Sequence, residues 1–132
     1  MKKATSIASK AIIIYHNKYL LQLRDNKETI SSPNTWGFFG GKINVGESAE
    51  DGLKRELIEE LNYNIINSKY ICNHFFLSLK VVVNFFSIYI KNMDDIVTFS
   101  EGQRMEWFTI DEIKSLKKAN DLIYALTNKF IS

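Results

Sequence analysis

The sequence predicts a single α/β domain of the α+β kind, in which a mixed central sheet is covered by helices on both faces. Three observations carry this reading. A chain of 132 residues with 45% apolar content suits one sizeable core and leaves no room for a second, so the domain is expected to span residues 1–132. Apolar and β-branched residues recur in runs short enough for strands. Helical patterns interrupt and follow those runs, which is the order of a layered sheet-and-helix fold.

The first two runs, Ser6 to Tyr15 and Tyr19 to Leu23, flank His16-Asn17-Lys18 and read as a hairpin. Residues 25–35 are polar, contain the only proline, Pro33, and read as a loop. Trp36 to Phe39 reads as a short strand ending at Gly40-Gly41, where the backbone can approach a ligand closely. Ser48, with Asp51 in capping-box spacing, opens a helix whose buried stripe is Leu53, Leu57 and Leu61. Gly52 inside it costs about 0.5–1 kcal/mol relative to Ala, which implies close packing or room near the acidic face. Two extended stretches follow, Tyr70 to Leu79 and Val81 to Ile90, and charged Lys91 to Asp95 ends the second. Phe75, Phe76, Phe85 and Phe86 read as sheet core, with base stacking as the alternative for one of them. Met105 to Phe108 reads as a last strand. Thr109 and Glu112 form a second capping box for a helix to about Leu116, and a final helix runs from about Asn120 to Phe130.

Composition excludes several classes of function. Net charge is +2 from 17 basic and 15 acidic interspersed residues, which argues against a polymeric nucleic acid as partner. Cys72 is the only cysteine, so no internal disulfide forms and an inert thiol is expected. The apolar run Ala11 to Ile14 is too short for a signal peptide, and no run approaches the roughly 20 residues of a membrane span. The expectation is a cytoplasmic monomer or homodimer with no membrane partner.

One helix carries the chemistry. Glu56, Glu59 and Glu60 fall within about a third of the helix circumference, so three carboxylates share one face and repel one another. A hard divalent cation is the economical explanation, because carboxylate oxygens are its preferred ligands. Glu56 and Glu60, one turn apart, can hold one ion, and Glu59 can reach the same or a second one. Magnesium is favoured over zinc because no His/Cys set of ligand spacing exists, and manganese is the usual substitute.

The flanking sequence extends this into one device: Gly41, Glu47, then Arg55-Glu56-Leu57, Glu59-Glu60 and Tyr63. It resembles the Nudix box, the signature of hydrolases that cleave nucleoside diphosphates linked to another moiety. Asn62 stands where the family has glycine, and Asn tolerates the left-handed turn expected there. The resemblance extends to Trp36-Gly-Phe-Phe-Gly40 before the box and to Glu101-Gly-Gln103 and Trp107 after it. It implies an α/β/α Nudix sandwich, magnesium held by Glu56, Glu59 and Glu60, and the Gly40 carbonyl as a further ligand. Its substrate would be a nucleotide, and its reaction a metal-dependent cleavage of a phosphoanhydride.

Roles follow for the remaining residues. Arg55 orients the patch through Glu47 or Glu56. The general base is Glu59 or Glu101, the latter in a loop resembling one that brings a late glutamate toward the metal in many Nudix enzymes. Lys42 and Arg24 are candidate phosphate contacts or ordinary surface cations, and Phe38 is counted among the substrate contacts. The run from Glu101 to Trp107, followed by Ala119-Asn120-Asp121, resembles MutT-type proteins, in which an Asn opening the last helix reads an oxidised guanine edge. Asn120 matches that position, and it is also a favoured helix N-cap. Phe39 replaces the proline typical of that group. The readings are a MutT-like nucleoside triphosphate pyrophosphohydrolase, a nucleotide-sugar or dinucleotide pyrophosphatase of the same fold, or a non-catalytic nucleotide-binding regulator.

Overall fold

A computed structural model describes residues 6–24, 34–96 and 104–132. Strand β1 (Ser6–Tyr15) turns at His16, where φ is 53°, into β2 (Lys18–Leu23). There follow β3 (Trp36–Gly37), β4 (Phe39–Lys42), α1 (Ala49–Leu61), β5 (Lys69–Phe76), β6 (Val81–Tyr89), β7 (Arg104–Phe108), α2 (Ile110–Lys114) and α3 (Asn120–Thr127). Among the described residues these form one seven-stranded sheet in the order β3-β2-β1-β6-β5, with β4 on β1 and β7 on β2. β1 and β6 run parallel, from Ser6↔Val81 to Ile14↔Tyr89, while the other pairs are antiparallel.

The expected strand Trp36 to Phe39 is two strands broken at Phe38. β1 and β2 pair only at Ile14↔Tyr19 and Tyr15↔Lys18. Beyond that they part, and the chain crosses from β2, paired by β3, to β1, paired by β4. β5 stops at Phe76 rather than Leu79, because Leu77 to Lys80 form the turn into β6, with Lys80 at φ 54°. α2 and α3 likewise end earlier than the pattern suggested, at Lys114 and Thr127. Their starts agree with it: Thr109 and Glu112 make both bonds of the capping box.

Period-two alternation divides the core between two faces. Ala11, Ile13, Leu20, Phe39, Phe86 and Ile88 meet Leu53, Leu57 and Leu61 of α1. Their neighbours Ile12, Ile14, Leu21, Phe38 and Phe85 meet Ile113, Leu122 and Ala125 on the other side. Helices thus cover both faces, and the sheet holds the start of α3 and the acidic face of α1 at its two surfaces. Gly52 has its reason here: a Cβ would lie 2.3 Å from Ile43 Cγ2, so the glycine lets α1 close onto the segment before it. Phe85 and Phe86 are core as expected, Phe76 packs at the core margin, and Cys72 is a partly buried free thiol whose pKa burial raises.

Candidate active site

The Ser48 hydroxyl accepts the Asp51 N–H at 3.0 Å and starts α1. At the far end Asn62 takes φ 51° and ψ 33°, the left-handed turn, and its N–H returns to the Ile58 carbonyl. Between these ends the three glutamates emerge beside the leucine stripe. Arg55 joins them to the preceding loop. Its Nε and Nη2 donate to the two oxygens of Glu47 at 2.7 and 3.0 Å, and Nη2 also donates to the Lys42 carbonyl at 3.0 Å. Its Nη1 reaches Glu56 at 3.2 Å and Glu59 at 3.4 Å. The pairing expected with Glu47 or Glu56 therefore includes both. Glu47, which also accepts the Asn44 N–H at 2.7 Å, is held by Arg55 at a pKa of about 2.

Glu60 sits differently. Its Oε1 accepts the Gly40 N–H at 3.0 Å, and burial pushes its pKa up to about 7, with Glu56 and Glu59 adding to the rise. Glu56 lies flat against the backbone of Gly41, where a Cβ would come within 2.7 Å of the carboxylate carbon. Among the described residues no three carboxylates converge on one point as they stand. Glu56 and Glu59 turn to Arg55, and Glu60 turns to Gly40. The donor set nevertheless fits a hard divalent cation: all its ligand atoms are oxygens, a glycine cradle admits one carboxylate, and the largely desolvated Glu60 carries repulsion from Glu56 and Glu59 that a metal ion would offset together with Lys10.

Gly41 and Lys42 connect this patch to a cavity of about 200 Å³, which Lys10, Arg24, Asn120 and Asp121 also line. Sites for whole drug-sized ligands run to about 300–1,000 Å³, so this one suits a single planar group with the rest of the ligand outside. Ala8, Val81, Val83, Phe76 and Leu79 provide its apolar walls. Arg24, Lys42 and Asn120 thus line one cavity.

Two assignments change. Asn120 is not the helix cap: Ala119 holds that position without a side-chain bond, and Asn120 is the first helical residue, partly exposed at the cavity. Phe38 does not present its ring to a ligand, because the side chain is 0% exposed within the core beside α3. Adjacent strand residues face opposite ways, and both Phe38 and Phe39 find a helix to pack on. The Phe38 peptide is used instead: its carbonyl accepts from Gln22 at 3.2 Å and Lys10 at 3.5 Å, and its N–H donates to Asp121 at 3.2 Å. Glu101 lies outside the described residues.

Lys10 and Asp121 are the site residues that the sequence reading passed over. Lys10 shares the parity of Ile12 and Ile14, so a lysine there points to the covered side of β1; that parity was the available signal. Burial lowers its pKa and the Asp121 carboxylate opposes the shift. Asp121, only 6% exposed, binds the Phe38 and Leu122 N–H groups and fixes the start of α3 against β3. Gly37 makes this possible, since a Cβ would fall 2.9 Å from Asp121 Oδ1. Trp36 completes the clamp, donating to the Lys117 carbonyl and accepting from Ala119, each at 2.9 Å.

The chain is similar to known proteins in sequence and in fold. Over 113 residues the chain is 29% identical to the 8-oxo-dGTP diphosphatase of Buchnera aphidicola, covering 85% of this chain and 82% of that protein. Over 81 residues it is 33% identical to the oxidized purine nucleoside triphosphate hydrolase of Mus musculus, covering 59% of this chain and 51% of that protein. The match therefore spans about half the length of the mouse relative. In fold it is similar to a MutT structure from work on Aliivibrio salmonicida and Vibrio cholerae, with a TM-score of 0.76 and 21% identity over 93% of this chain and 94% of that one. It is also similar to the E. coli ORF135 protein, with a TM-score of 0.73 and 25% identity over 98% of this chain and 90% of that one. The family description NUDIX domain matches residues 6–129, nearly the whole chain, and with the box on α1 in place the chain belongs to the Nudix family.

Proposed function

We propose that the chain is a divalent-metal-dependent nucleoside triphosphate pyrophosphohydrolase of the MutT-like kind, releasing a nucleoside monophosphate and pyrophosphate. One observation carries the reading: an acidic helix face and a base-sized cavity adjoin across Gly41-Lys42, so a ligand seated in the cavity extends its phosphates toward the glutamates. The names of the two curated relatives support the same chemistry.

Glu56, Glu59 and Glu60, with the Gly40 carbonyl, would hold magnesium, or manganese in its place. When bound, the ion neutralises phosphate charge and acidifies water. Arg55 keeps Glu47, Glu56 and Glu59 oriented, and any turn of these carboxylates toward a ligand works against its hydrogen bonds. Either Glu59 or Glu101 takes the proton from water; Glu59, with 57% of its side chain exposed, is open to solvent. Lys42, exposed beside Gly41, is placed to meet phosphate, and Asn120 can donate to and accept from a base edge. Among the described residues no helix is long and apolar enough to cross a membrane, and we place the activity in the cytoplasm.

The test is a panel of nucleoside triphosphates, nucleotide sugars and dinucleotides incubated with magnesium. Release of monophosphate and pyrophosphate from triphosphates, with slower turnover of the others, is expected. Preferential cleavage of a nucleotide sugar or dinucleotide would overturn the substrate class.

A further inference from the structure

Lys10 and Arg24 line the cavity together, and although the Asp121, Glu60 and Glu56 carboxylates act on Lys10 through space, none of them hydrogen-bonds to it among the described residues. Arg24 Nε is shielded from solvent and has no hydrogen-bond partner among the described residues. Among the described residues Lys10 has one bond, to the Phe38 carbonyl, and at 3.5 Å it is long. With one N–H on Phe38, the Lys10 amine keeps at least one donor to spare in either protonation state, and as the ammonium it offers no acceptor. The acceptor nearest in electrostatic effect, Asp121, already takes one backbone N–H on each oxygen. The inner edge of the cavity is therefore rich in donors, while Phe76, Leu79, Val81 and Val83 offer apolar surface to a ring face. A buried donor facing another donor is left unsatisfied, and that penalty exceeds the gain from a matched bond.

Resting on the reading of this cavity as the base site, we propose that Lys10 is a specificity-determining residue: with Arg24 it presents N–H donors to the inserted edge of the base, so bases with carbonyl oxygens there are accepted and bases with amino groups are rejected. This moves Arg24 from the phosphate to the base, beside Lys10 on the lining of the same cavity. Asn120, at the cavity mouth, can serve either edge and does not impose the choice alone.

The experiment compares kcat/KM for ITP and ATP, which differ by one carbonyl against one amino group at the same ring carbon, with UTP and CTP as a second pair. The wild type should prefer the carbonyl member by about tenfold or more. Lys10→Met keeps the length but removes the donors, and should lower that preference to within about threefold by reducing kcat/KM for ITP more than for ATP. Lys10→Gln, which supplies a donor and an acceptor, should give an intermediate ratio and decides the matter if Lys10→Met does not fold. A wild type without the preference, or folded Lys10 variants that retain it in full, would overturn the inference. Asn120→Ala separates the two layers of the argument. If it shifts the ratio while the Lys10 variants do not, the cavity remains the base site and only the role of Lys10 fails. If neither changes the ratio, the base does not enter this cavity and both readings fail.

Discussion

On the α1 side of the site each glutamate already has a donor: Arg55 for Glu47, Glu56 and Glu59, and the Gly40 N–H for Glu60. On the α3 side the positions are reversed: among the described residues Arg24 Nε has no partner and Lys10 has a single long bond. The first region is pre-set, so changes there should alter turnover whatever the substrate. The second is left incomplete for a ligand to complete, so changes there should alter which substrate is taken. The comparison can be broken wherever a substitution on one side produces the effect assigned to the other.

The largest effect is expected on the pre-set side. Glu60→Gln retains the hydrogen bond from Gly40 but removes a charge, and kcat with magnesium should fall by at least about 100-fold with the circular dichroism spectrum unchanged. Near-normal turnover would remove the carboxylates from the chemistry.

Glycines give a sharper form of the same test. At Gly41 an added methyl would meet the end of the Glu56 side chain, which can swing away, so Gly41→Ala should fold normally yet lose about tenfold or more in kcat through a displaced carboxylate. At Gly52 the obstacle is Ile43 at 2.3 Å, inside packed structure. Gly52→Ala should cost about 1–3 kcal/mol in denaturant titration and leave kcat per folded molecule unchanged. Exchange of these two outcomes would mean that the roles of the glycines had been assigned the wrong way round.

How much of this was legible follows from sequence distance. The acidic helix, its Ser48 start, the left-handed Asn62 and the Thr109 capping box are set by residues within a few positions of one another, and all are as expected. The cavity is assembled across the chain. Lys10 meets Phe38, Phe38 meets Asp121, and Gly37 makes room for Asp121, contacts that depend on how β1 and β2 part and on Trp36 gripping the segment before α3. No local pattern carries that information. Asn120 shows the limit: cap and base reader are both compatible with its sequence position, and a one-residue difference in where α3 starts removes the first.

That difference makes Asn120→Ala a cleaner probe of the incomplete side. Since Asn120 does not cap α3, the substitution should leave stability within about 0.5 kcal/mol, as for an ordinary surface change. Discrimination between oxidised and normal guanine nucleotides should weaken by about 1–3 kcal/mol, read as the ratio of kcat/KM in competition assays. A loss of stability with an unchanged ratio would reverse both statements.

The smallest effect concerns pH and the Glu47–Arg55 pair. Arg55 lowers the Glu47 pKa from its ordinary 4.5 to about 2 in the folded chain, so the unfolded chain binds the proton first as pH falls. Stability from this charge is therefore complete above about 4.5, declines between 4.5 and 2, and is gone below 2. Glu47→Gln preserves an acceptor for Arg55 and for the Asn44 N–H but cannot ionise. The difference in Tm between wild type and variant should be constant from pH 7 to 5 and shrink toward zero by pH 2. Because Glu47 is near the surface, salt should reduce the difference at neutral pH as well. Melting curves that stay equally separated down to pH 2 would mean that size and packing at Glu47, rather than its charge, hold Arg55 over the acidic face.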